Sequence, residues 1–180
     1  MAVANRGKQW QKIVEAQLDT MAGHTIVKTD PPVRVFKMLG GAKFEGCFAA
    51  PGQCDFEGGF RGRAVCLEAK DCHATAFPRA KIRDGQWLRL EAANEQGAIS
   101  GLLLRFVGGS ADRDQMWLVE FGALRALFGK KASFQPGLVT AENAHRLVYR
   151  PISSKAIGLT GLEQALVRID DRLSSDRLRS

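Results

Sequence analysis

At 180 residues the chain is long enough for one globular domain with a sizeable core, and a 45% hydrophobic, 25% charged composition excludes wholesale disorder. A formal charge of +7 makes nucleic acid the first partner to consider. Arg6 and Lys8 precede any apolar run, and no uninterrupted apolar segment approaches the ~20 residues needed to span a membrane, so a cytoplasmic protein with no membrane partner is expected.

From Lys8 to Met21 the apolar residues Trp10, Ile13, Val14, Leu18 and Met21 gather on one helical face, with Gly23 just past the end. Gln11 flanks that stripe and Glu15 follows one turn later. A short strand, His24 to Lys28, is halted by Asp30-Pro31-Pro32. Two extended runs, Val33 to Leu39 and Ala42 to Phe48, are joined by Gly40-Gly41, a dipeptide suited to a tight turn. They read as a projecting β-hairpin over residues 31–53, made basic by Arg34, Lys37 and Lys43.

The segment from Gln53 to Lys70 carries the chemistry. Asp55 to Gly59 reads as one turn and Arg61-Gly62 as a second; Arg63 to Lys70 then reads as a strand. Strand side chains alternate between faces, so Ala64, Cys66, Glu68 and Lys70 share one side while Val65, Leu67 and Ala69 share the other. Beyond it, Phe77-Pro78 opens a helix predicted from Arg79 to about Gln96. Ala98 to Val107 is almost continuously apolar and predicts a strand buried on both faces. Gln115 to Phe121 predicts another strand, and Gly122 onward a short helix stopped by Gly129, with Lys130 and Lys131 placed to meet phosphate. In the tail, Ala141 to His145 suggests a helical turn and Leu159 to Leu173 an amphipathic helix, so that residues 140–180 read as a C-terminal helical appendage. Cys47, Cys54, Cys66 and Cys72 show no Cys-x-x-Cys pairing and are expected to be reduced thiols; with His73 they match no common zinc spacing.

Hydrolysing a phosphodiester near neutral pH needs a cation to offset phosphate charge and to make water acidic enough to attack, and hard oxygen ligands suit Mg²⁺. Asp55 and Glu68 supply carboxylates, the Ala69 carbonyl a further oxygen, and Lys70 an ammonium to orient the water and stabilise the transition state. An isolated Asp…Glu-x-Lys also arises by chance as a surface ion pair.

An ordered set of further residues makes the reading specific: Asn5-Arg6-Gly7, Pro31-Pro32-Val33, Asp55 with Gly58, Glu68-Ala69-Lys70, Phe77-Pro78, Ile82 and Gln86. Over roughly residues 5 to 107 the chain resembles the RecU-like Holliday junction resolvases of the PD-(D/E)XK nuclease superfamily. The resemblance implies a single nuclease domain over 1–180, with an α/β, restriction-endonuclease-like mixed central β-sheet flanked by helices. It also implies that 31–53 is an inserted stalk hairpin. The expected activity is a homodimeric, Mg²⁺- or Mn²⁺-dependent endonuclease that resolves four-way DNA junctions by paired symmetric nicks in recombination and repair. Gln86 stands at the family's glutamine near the metal or scissile phosphate, and Arg6 becomes a phosphate contact. Two positions depart from the family: Gln11 stands where a glutamate is usual, leaving Gln11 or Glu15 to complete the metal site, and Gly85 stands where histidine is common. Alternatives are a related endonuclease acting on another branched or duplex DNA, and a non-catalytic junction-binding protein.

Overall fold

The structure is a computed structural model that describes residues 6–30, 33–40, 43–48, 54–107, 115–129, 132–135, 139, 144–153 and 156–177. Helix α1 (Arg6–Leu18) forms where the apolar period predicts it. Trp10, Val14 and Leu18, spaced four apart on one face, are all buried, and Gly23 lies beyond the end with φ of 72°. After β1 (Val27–Lys28), strands β2 (Val33–Gly40) and β3 (Lys43–Phe48) pair antiparallel with each other in a two-stranded sheet of their own. Residues 31–32, 41–42 and 49–53 of the expected stalk lie outside the described residues.

Asp55 to Gly59 is not the turn the two glycines suggested: Phe56–Phe60 is a strand, β4, paired with β1 on one side and with β5 (Arg63–Cys72) on the other. The glycines serve close approach instead. A Cβ on Gly58, whose φ is 153°, would lie 2.2 Å from the Thr25 carbonyl oxygen. The hairpin turns at Arg61 and Gly62, with φ of 51° and 81°; positive values at both central residues suit the twist of a two-residue connection.

Strand β6 (Phe77–Pro78) follows, and the predicted long helix is shorter than expected. Arg79–Lys81 makes one 3₁₀ turn, Ile82 and Arg83 are extended, and helix α2 spans Asp84–Glu95. The chain then enters β7 (Ile99–Phe106), parallel to β5, so β5–α2–β7 is a crossover unit. All eight residues of β7 are buried, as its apolar run predicts. Strand β8 (Gln115–Glu120), helix α3 (Phe121–Phe128) and strand β9 (Ser133–Phe134), which pairs with β6, come next. The tail corrects the sequence reading. Ala144 and His145, expected in a helical turn, begin β10 (Ala144–Ser153), which pairs with β8 and with β11 (Ala156–Thr160). Cross-strand pairing decides the conformation here, where no local period does. The helical part of the expected appendage is α4 (Leu162–Arg177), and it packs into the main core.

The seven-stranded sheet runs β1-β4-β5-β7-β8-β10-β11. Strand alternation divides the interior in two. Val65, Leu67 and Ala69 of β5 join a core with Trp10, Val14 and Leu18 of α1 and Leu166 and Ile169 of α4. Cys66 and Cys72 face the other core, with Leu90 of α2, Phe121 and Leu124 of α3, Phe77 and Phe134. The result is an α/β, restriction-endonuclease-like arrangement, a mixed sheet flanked by helices. No helix among the described residues is long and apolar enough to cross a membrane.

Candidate active site

Strand register assembles the site. Phe56 pairs with Leu67 and Glu57 with Cys66, so Asp55, one residue before β4, comes level with Glu68 on β5. Its backbone is pinned by the Thr29 N–H, which donates to the Asp55 carbonyl at 2.9 Å. The Ala69 N–H donates to Asp55 Oδ2 at 2.9 Å, fixing the carboxylate.

Glu68 is only 1% exposed. Its Oε1 accepts from Lys70 Nζ at 2.6 Å and from Gln86 Nε2, while Lys70 Nζ also donates to Gln86 Oε1 at 3.2 Å. Gln86 reaches the site because of how α2 begins. It is the third helical residue, and its Oε1 accepts the Arg83 backbone N–H at 3.1 Å, capping the helix. The second carboxylate oxygen, Glu68 Oε2, is buried and has no hydrogen-bond partner among the described residues. The Glu68 carboxyl is raised from 4.5 to about 7: burial is the largest cause, the negative charge of Asp55 adds to it, and the Lys70 ammonium opposes both.

This arrangement fits a hard divalent cation. A buried carboxylate oxygen without a donor is costly, and a cation beside it and Asp55 would remove that cost and return Glu68 to its ionised form. Hydrogen bonds bring Glu68, Lys70 and Gln86 together, and Asp55 joins them through the Ala69 backbone. Gln11 and Glu15 are half-buried on α1, and among the described residues no hydrogen bond or ion pair joins either to this cluster. Arg6 opens α1, and Arg34, Lys37 and Lys43 lie on β2 and β3, but their side chains, like Lys130 and Lys131 altogether, lie outside the described residues.

Three features beside the site escaped the sequence reading. Cys54 and Cys66, expected as thiols, form a disulfide, because the β4–β5 pairing brings the residue before Asp55 against the strand of Glu68. Although both sulfurs lie within 4.8 Å of a Glu57 carboxylate oxygen, their bond to each other leaves no thiolate there for a metal. Asp71 and Arg105, paired across the parallel strands, form a buried two-pronged ion pair with both contacts at 2.8 Å. The Arg105 guanidinium lies 5.5 Å from the Trp10 ring, and Trp10 Nε1 donates to the Leu103 carbonyl at 2.8 Å, which locks α1 onto the strand next to the site. A lone arginine in the apolar run from Ala98 to Val107 was the signal for this pair.

A mixed sheet that sets Glu-x-Lys on one strand beside an aspartate at the start of its neighbour is a restriction-endonuclease-like arrangement. The family model described as RecU, recombination protein U, matches residues 5–152. The chain belongs to the RecU family of recombination proteins. No individual curated protein matches it.

Proposed function

We propose that the chain is a Holliday junction resolvase, a homodimeric endonuclease that nicks strands of a four-way DNA junction symmetrically, with Mg²⁺ or Mn²⁺ as cofactor, in a bacterial cytoplasm. The observation that carries the reading is the buried Glu68 Oε2, without a hydrogen-bond partner among the described residues, on a carboxylate that interacts with Asp55 and Lys70, in a chain of this family. Asp55, Glu68 and the Ala69 carbonyl would hold the cation, with Gln11 or Glu15 of α1 as further candidates. When bound, the cation supplies charge stabilisation on the phosphate and a more acidic water.

The protein's own groups do the rest. The Ala69 N–H holds the Asp55 carboxylate in one orientation. Lys70, 19% exposed beside Glu68, presents its remaining N–H to the phosphate or the attacking water. Gln86 holds both Glu68 and Lys70, so neither side chain has to be ordered when substrate arrives. The β2–β3 hairpin with Arg34, Lys37 and Lys43 serves as the stalk that enters the open junction centre, and Arg6, Lys130 and Lys131 add phosphate contacts. Two symmetric cuts require two sites related by a two-fold axis, hence the dimer.

The test is a nicking assay on matched four-way and linear DNAs, with and without Mg²⁺, for the wild type and for Asp55→Asn and Glu68→Gln. Symmetric, Mg²⁺-dependent nicks confined to the four-way junction and abolished in both variants are expected. Equal cutting of linear duplex overturns the junction specificity. Undiminished nicking by either variant overturns the site. Gln11, where the family carries a glutamate, favours one other reading, a junction-binding protein without cleavage; tight binding with no nicking in Mg²⁺ or Mn²⁺ would select it.

A further inference from the structure

The connector between β6 and α2, residues 79–83, belongs to none of the groups given a role above, yet it touches the site from two directions. The Arg83 backbone N–H donates to the same Gln86 Oε1 that receives Lys70 Nζ, at 3.1 and 3.2 Å. Lys81 Nζ donates to the carbonyl of Asp71, the residue after Lys70, at 3.1 Å.

Three cations sit on this short connector, and they are not equivalent. Arg79 is committed to its shape: the guanidinium lies 4.1 Å from the Trp87 ring, Nη1 donates to the Ile82 carbonyl at 2.5 Å, and Nη2 lies 3.5 Å from Asp84, the first residue of α2. Its backbone N–H donates to the Ala132 carbonyl at 2.9 Å, tying the connector to the chain beside β9. Lys81 and Arg83 are exposed. One of the three Lys81 N–H groups is spent on a carbonyl, which neutralises no charge, and Arg83 pairs with no carboxylate among the described residues. Two uncompensated cations on a braced backbone, within two hydrogen bonds of Glu68, suit a chain of regularly spaced negative charges that passes through the site.

We propose that Lys81 and Arg83 grip the phosphate of the DNA strand next to the one being cut, and so set the strand's register over Glu68 and Lys70. This rests on the nuclease reading for the identity of the strand but adds a contact surface on the body of the protein, separate from the hairpin. The contact is to backbone and carries no base preference.

The experiment measures the affinity of the full chain for a labelled four-way junction in chelator, where no cutting occurs, across a salt series. The variants are Lys81→Gln, Arg83→Gln, their double, and Arg168→Gln as a control of equal charge change on α4, across the sheet. Removing one cation that truly meets a phosphate lowers the slope of log affinity against log salt by ~0.9, so between about 50 and about 200 mM salt the wild-type advantage shrinks roughly threefold per residue. The double variant should lower the slope by about twice as much, Arg168→Gln should leave it unchanged, and Lys81→Arg should restore it. Slopes for Lys81→Gln and Arg83→Gln equal to wild type, or a drop matched by Arg168→Gln, overturn the proposal. A wild-type chain that binds no DNA overturns it together with the nuclease reading. A slope reduced only in these variants, without any nicking by the wild type, sustains the phosphate grip and defeats the catalytic reading alone.

Discussion

Replacing Glu68 by glutamine in the absence of divalent cations should make the protein more stable at alkaline pH. The native fold holds the Glu68 proton more tightly than the unfolded chain does, since its carboxyl is raised from 4.5 to about 7, mainly by burial. Folding therefore takes up a proton between those values, and stability falls as pH rises through the window. Below it both states are protonated and nothing is lost; above it the full cost of a buried carboxylate is present. At about 1.4 kcal/mol for each tenfold in proton affinity, the shift from 4.5 to about 7 corresponds to about 3 kcal/mol. Glutamine keeps the shape and the Lys70 and Gln86 contacts but never ionises.

Urea unfolding of both proteins in chelator, from about pH 5 to about pH 8, gives the difference directly, and effects of the substitution that do not depend on pH cancel. The stability of Glu68→Gln relative to wild type should climb by up to about 3 kcal/mol across the range. Added Mg²⁺ or Mn²⁺ should recover most of the loss at the alkaline end in wild type and little in the variant. A difference that stays flat with pH, or falls, refutes the claim that an unpartnered buried carboxylate sits at the centre of the site.

Lys70→Met removes the cation that lowers the Glu68 carboxyl, so the apparent ionisation should move further up; single-turnover nicking should fall by about 10²- to 10³-fold with junction affinity nearly unchanged. Gly58→Ala should destabilise by about 3 kcal/mol or more, read by urea unfolding, because the new Cβ would sit 2.2 Å from the Thr25 carbonyl oxygen with no side chain free to yield. Asp71→Ala leaves Arg105 buried without that carboxylate and should cost about 3 to 5 kcal/mol by the same measurement, whereas its net value as a pair is smaller.

The candidate site was legible because it depends on short-range geometry. Alternation along Arg63 to Lys70 puts Glu68 and Lys70 on one face whatever the sheet order, and a hairpin turn between Asp55 and Glu68 can make them level. The disulfide depends on the same hairpin but was hidden, because reading Asp55 to Gly59 as a turn removed the register that pairs Glu57 with Cys66. The Asp71–Arg105 pair, and the addition of residues 144–160 to the sheet, come from pairings between distant segments, and no local period encodes which strands become neighbours.

The start of α2 shows how an element boundary shapes the candidate site. Proline at position 78 and the good helix formers after it suggest a helix from Arg79, which would bury Gln86 in the middle of a continuous hydrogen-bond ladder with no reason to turn back. Arg79 instead closes a single 3₁₀ turn onto the Ile82 carbonyl, and the extended Arg83 exposes an N–H that needs an acceptor. Gln86, now at the third helical position, supplies that acceptor, and the same amide turns its nitrogen to Glu68 and its oxygen to Lys70. Capping and the proposed catalysis thus ask for one side chain in one orientation. A strand held by Arg83 would bear on the residue whose backbone N–H that amide caps, which is why the proposed machinery includes the connector and not only the Glu-x-Lys strand.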